Sequence, residues 1–133
     1  MTTGYSGTPL AKKLSLKDGL GVWFHAMPQS VRAEIGDIAL NERPVPETGL
    51  EAAHIFTADR AELERLLTDL RPLIDPAGFV WVSWPKKASK VPTDITEDVI
   101  RDTCLPMGWV DVKVCAVDAV WSGLKLMIRK ELR

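Results

Sequence analysis

Long apolar runs are missing from this chain of 133 residues. None approaches the roughly 20 residues a helix needs to cross a bilayer, and the start from Met1 to Leu10 has no apolar centre of the kind a secretion signal carries. No membrane association is expected, and the location expected is cytoplasmic. Cysteine is scarce too. Cys104 and Cys115 are the only two, without the close pairing that zinc or thiol exchange uses, so two buried free thiols are expected. Net charge is nearly absent, at -1 with both signs interspersed. That excludes the broad basic footprint of non-specific nucleic-acid binding, and no nucleic acid is expected as a partner. Histidine is limited to His25 and His54, with no H-E-x-x-H spacing, so no metal site is expected. A G-x-S-x-G elbow and a P-loop are likewise missing.

What is present suits a packed core. A hydrophobic share of 46% beside 26% charged residues is ordinary for a globular domain, and the length matches one domain over residues 1–133. Thr8-Pro9-Leu10 resembles a cap with proline at the first helical position, predicting a short helix to about Leu14. Gly21 to Ala26 reads as a buried strand. A short helix then fits between Pro28 and Gly36, with a brief strand at Ile38-Ala39-Leu40 and a proline-rich loop from Asn41 to Gly49. Ala52 to Thr57 is the next strand. Asp59 with Glu62 forms a capping-box-like start for a helix whose Leu63, Leu66, Leu67 and Leu70 make one apolar stripe. Gly78 opens Phe79 to Trp84, an apolar run suited to a central strand.

Asp94 and Glu97 repeat the capping-box spacing before a second amphipathic helix that stops at Pro106 and Gly108. Two alternating strands end the chain. In the first, Val110, Val112, Val114 and Ala116 alternate with Asp111, Lys113, Cys115 and Val117, giving one wetter face. The connection from Asp118 to Ser122 is too short for a parallel crossover, so these two strands form an antiparallel hairpin. Strand, helix, strand, helix, hairpin predicts an α/β fold: a small three-layer Rossmann-like sheet, mostly parallel, with a C-terminal antiparallel hairpin.

That order resembles the second half of a class I methyltransferase-type Rossmann domain. The glycine-rich turn expected after its first strand is replaced by His25-Ala26-Met27-Pro28-Gln29-Ser30, so no nucleoside cofactor is expected. The first half is abbreviated between Ala26 and Ala52, and a homodimer contact is the usual remedy for apolar surface such a sheet leaves uncovered.

The candidate site residues lie in loops. Lys86, Lys87 and Lys90 gather three ammonium groups, with the Ser89 hydroxyl, ahead of a helix start near Asp94, where a phosphate or carboxylate could be held. The bland alternative is a solvated lysine loop, and charge runs are mostly that. His25 falls at the same edge of the sheet and is the lone candidate for acid/base work, histidine being the side chain that ordinarily titrates near neutrality. His54 reads as structural. Of the five tryptophans, Trp23, Trp81, Trp84 and Trp109 sit in strands, whereas Trp121 falls in the hairpin turn and either closes over the domain's own edge or meets a partner.

Tyr5 to Leu14, Trp84 to Ser89, Thr93 to Glu97, Val110 to Asp118 and Trp121 to Leu126 together resemble a bacterial family known only as a domain of unknown function. The resemblance implies a stand-alone bacterial cytoplasmic protein and supplies no catalytic residues. Its segments map to loops that can meet at one sheet edge, giving Tyr5, Lys86, Lys87, Ser89 and Trp121 as the ligand-binding candidates. The function expected from these observations is a non-catalytic binding or regulatory module for an unknown small anionic ligand or a protein partner. The alternatives are two. One is an enzyme acting on a small phosphorylated or carboxylated substrate, with Lys86 and Lys87 on the anion, Ser89 or Tyr5 as hydrogen-bond donor and His25 as acid/base. The other is a structural subunit of a larger assembly that uses Trp121 as contact surface.

Overall fold

A computed structural model describes residues 8–133. The elements follow the predicted order: α1 (Leu10–Lys13), β1 (Gly21–His25), α2 (Gln29–Ile35), β2 (Asn41–Glu42), β3 (Leu50–Phe56), α3 (Arg60–Leu70), β4 (Ile74–Pro85), α4 (Glu97–Cys104), β5 (Trp109–Ala116) and β6 (Trp121–Ile128). One six-stranded sheet runs β2-β1-β3-β4-β6-β5. Pairing is parallel from β2 to β4 and antiparallel for β4 with β6 and β5 with β6. The fold is therefore the mixed, Rossmann-like α/β sheet that the sequence pattern predicted. No helix among the described residues is long and apolar enough to cross a membrane.

Two apolar layers enclose the sheet. The leucine stripe of α3, with Ile100 and Cys104 of α4, packs on Ala53, Ile55, Val80, Val82, Leu124 and Leu126. On the opposite face Leu10 and Ala11 of α1 and Val31 of α2 pack on Val22, Ala52, Phe56 and Trp81. Strand alternation sorts the residues, since neighbours along a strand point to opposite faces. Trp81 also donates its Nε1 hydrogen to the Leu14 carbonyl at 3.0 Å, tying α1 to the central strand. Where β3 and β4 meet at a bulge, Gly78 is a close-approach position: an added Cβ would stand 2.6 Å from the Glu51 carbonyl oxygen.

Several local expectations need correction. The brief second strand is Asn41–Glu42, just beyond Ile38-Ala39-Leu40, of which Ile38 and Leu40 turn partly inward against the α1/α2 core. Asp94 does not cap α4; its carboxylate accepts from the Arg60 amide of α3 at 2.7 Å. Thr96 caps α4 instead, accepting from the Val99 amide. In β5 the predicted alternation breaks, with the three successive residues 112–114 exposed. Val112 and Val114 are exposed while Cys115 is buried, because a bulge between Asp111 and Lys113 and the edge position turn the valines outward.

Candidate functional site

The sheet's topology marks β1 as the place where chemistry can sit. Its neighbours β2 and β3 are reached by connections on opposite sides, and in open α/β sheets the crevice beyond the carboxyl end of such a strand is where ligands bind. At that end the chain passes through His25 and Ala26, and Ala26 takes φ +54. A non-glycine residue in this left-handed region carries a steric cost that surrounding contacts must offset. Here Met27 provides one, packing into the α1/α2 core with Phe24, Phe56 and Trp121.

The two faces of β1 differ. On the α2 face, Phe56 stacks on His54 at 4.3 Å between ring centroids and meets Trp121 edge-on at 5.2 Å. Arg32 of α2 reaches Glu42 with both terminal nitrogens, each at 2.9 Å, and its guanidinium lies 5.5 Å from the Phe24 ring centroid. That bidentate bond holds the Glu42 carboxyl below its usual range and the Arg32 guanidinium above its own.

On the α3 face there is a cleft of about 240 Å³ lined by Trp23, His25, Pro46, Arg65, Leu66, Asp69 and Leu70. Its origin is the crossover from β2 to β3. Both strands flank β1 in parallel, so the connection must cross one face of β1, and Pro46 places it on this one. Residues 43–49 make that crossing without a helix. A parallel strand is ordinarily covered by a helix on each side, and the missing helix leaves this groove beside α3. His25, which lines it, has Nε2 3.6 Å from Glu62 Oε2, and the same carboxylate oxygen is 3.9 Å from Arg65 Nη2. Trp23 tilts over His25 with ring centroids 5.7 Å apart.

The residues predicted from sequence are only partly brought together. The lysine loop and the hairpin turn do meet, the Lys86 amide donating to the Val120 carbonyl at 2.7 Å, but Trp121 is the first residue of β6, paired with Pro85 of β4, and not in the turn. Ser89 is engaged within its own loop, donating to the Lys86 carbonyl and accepting from the Val91 amide. Lys87 is exposed, and residues 91–96 separate the loop from the start of α4, so no helix amides join the lysines. Trp121 packs on the α2 face whereas His25 opens on the α3 face. Tyr5 lies outside the described residues. Among the described residues no group of three or more histidine, cysteine or acidic side chains is placed to hold a metal. His54 is structural: it is buried, within 2.7 Å of Ser83 Oγ, and burial pushes its pKa down to about 3. Sequence reasoning missed Glu62 as the partner of His25, because it reads Glu62 as a capping residue; the two meet only through the packing of α3 on β1.

No family model matches the chain, and no curated protein matches it by sequence. Solved structures do match in fold. An S-adenosyl-L-methionine-dependent methyltransferase from Aquifex aeolicus shares 15% identity over 90% of this chain and 87% of its own, with a TM-score of 0.66. Aeropyrum pernix fibrillarin, crystallised with natively bound S-adenosyl-L-methionine, shares 12% identity over 90% of this chain and 69% of its own, with a TM-score of 0.61. A protein described as a pericyclic reaction enzyme shares 10% identity over 97% of this chain and 50% of its own, with a TM-score of 0.59. The chain thus has the methyltransferase-type Rossmann fold.

These neighbours correct the functional expectations. The expected non-catalytic regulatory module is corrected, because the solved proteins that match this fold include an S-adenosyl-L-methionine-dependent methyltransferase. The partner expectation, an unknown small anion or a protein, is corrected on the same ground, since the small molecule named for these neighbours is S-adenosyl-L-methionine.

Proposed function

We propose that this chain is an enzyme of the methyltransferase fold whose reacting group is His25, acting as general acid and base in the cleft on the α3 face of β1. The observation that carries the proposal is the His25–Glu62 pair, 3.6 Å apart, whose histidine lines a cleft on the α3 face of a switch-point strand. Glu62 orients the imidazole; with Nε2 turned to Glu62, Nδ1 is the nitrogen left to exchange a proton with a bound molecule. Trp23, Leu66 and Leu70 give the cleft an apolar wall, and Arg65 and Asp69 place opposite charges at its rim. These features suit a small molecule with a flat apolar part and polar substituents.

No step is drawn through S-adenosyl-L-methionine, because the residues beyond β1 do not fit it. Ala26 adds a Cβ where a glycine would let a cofactor approach the backbone, and Pro28 has no N–H to offer. That this fold also hosts other chemistry is consistent with the pericyclic reaction enzyme among its neighbours. The proposal includes a bacterial, cytoplasmic setting and one domain over residues 1–133, supported by the sequence segments above and by the sparse cysteine.

The test is untargeted mass spectrometry of a bacterial metabolite extract incubated with the wild-type protein and with His25→Gln. At least one compound should be converted by the wild type and turned over about 10²-fold to 10⁴-fold more slowly by the variant. Conversion that survives His25→Gln, or no conversion at all, overturns the proposal.

A further inference from the structure

We infer that the nucleoside site of this fold is absent among the described residues, not merely blocked, because β2 is too short to bring a carboxylate to the carboxyl edge of the sheet. In Rossmann-type sheets the sugar hydroxyls of the nucleoside are held by an acidic residue about 20 residues after the glycine-rich turn, at the end of the strand beside the first. Here that strand has two residues, Asn41 and Glu42, and they pair with Gly21 and Val22 at the amino half of β1. The Arg43 amide still bonds the Val22 carbonyl at 2.8 Å, after which the chain leaves for the crossover. Glu42 is therefore level with Val22, three residues short of His25, where the crevice begins.

Two further features oppose a site. Glu42 is already engaged by Arg32 through two bonds of 2.9 Å from the helix that follows β1. The turn that should open the crevice sends Met27 into the α1/α2 core instead of leaving space. With the acid too low, the turn carrying side chains and Met27 packed against the α1/α2 core, removing one obstacle does not create a site.

Calorimetric titration of the full chain with S-adenosyl-L-methionine and with S-adenosylhomocysteine tests this. Wild-type protein should show no saturable heat with either compound up to about 1 mM. The variant Arg32→Ala combined with Ala26→Gly frees Glu42 and restores a glycine; its fold is checked by near-ultraviolet circular dichroism of the tryptophans, and Arg32→Ala alone serves if the pair does not fold. Neither should bind better than wild type. Saturable wild-type binding in the micromolar range, lost at least tenfold in Glu42→Gln, overturns the inference and makes methyl transfer the leading reading. Binding that emerges only in the freed variants overturns it too, by showing a blocked site. Because the readout is binding and not turnover, failure here is distinguishable from failure of the His25 proposal, which rests on conversion by the opposite face.

Discussion

The two faces of β1 end in opposite conditions, although one five-residue strand builds both. On the α2 face Phe24, Met27, Phe56 and Trp121 pack together, with Arg32 and Glu42 joined at the surface. On the α3 face Trp23 and His25 look into an open cleft. The difference lies in what each connection supplies. The step from β1 to β2 includes a helix, α2, which covers its face. The step from β2 to β3 is a loop, residues 43–49, which covers its face only in part. A polar pair can therefore meet a ligand on one side of the strand and not on the other, and a resemblance of fold does not fix which side is used.

Four changes break or sharpen that comparison. Phe56→Ala should have the largest effect. The ring is buried between His54 and Trp121 on the closed face, and its removal should cost about 3–5 kcal/mol in urea denaturation. A loss below about 1 kcal/mol would show that the closed face is loosely packed. Leu66→Ala acts on the open face, where a buried α3 side chain also lines the cleft. It should cost about 2–3 kcal/mol, because part of the space left behind joins the cleft and can take up water.

Acid should weaken the closed face through His54. Its ordinary value of 6.5 is lowered to about 3 by burial, so the unfolded chain takes up a proton that the folded chain refuses. The stability this gives is present above about pH 6.5 and is lost progressively as pH falls toward 3. Between pH 7 and pH 5 the loss should be about 2 kcal/mol. Thermal melts of wild type and His54→Gln over that range check it, the variant having the flatter profile. Arg32→Ala should do least. The pair it breaks is largely exposed, so the loss should be about 0.5 kcal/mol or less and should shrink further in salt. A larger loss would mean that this ion pair, and not the apolar packing, keeps the α2 face closed.

Much of the fold was legible because its signals are local. The stripe Leu63, Leu66, Leu67 and Leu70 is buried as its spacing predicts, Asp59 caps α3 through the Ala61 amide, and the short connection, residues 117–120, gives the antiparallel hairpin. Local signals also misled. Asp94 and Glu97 have capping-box spacing, yet Asp94 serves α3, because an amide 34 residues away in the chain lies closer in space. Of the candidate site, His25 was legible as a histidine at a strand end. Glu62 was not, since nothing in its spacing connects it to β1, and the lysine loop drew attention through charge that the fold leaves largely to solvent.

The sequence alone determined the periodicities, the turns and therefore the class of sheet, since these depend on how near neighbours along the chain share a face or a hydrogen bond. It also determined the missing glycine-rich turn, which shows in Ala26, Met27 and Pro28 as written. Only the tertiary structure decided which face of β1 is open, that His25 meets Glu62 and that Glu42 stops level with Val22. These depend on strand register and on which face a crossover takes, quantities set by packing between segments distant in sequence.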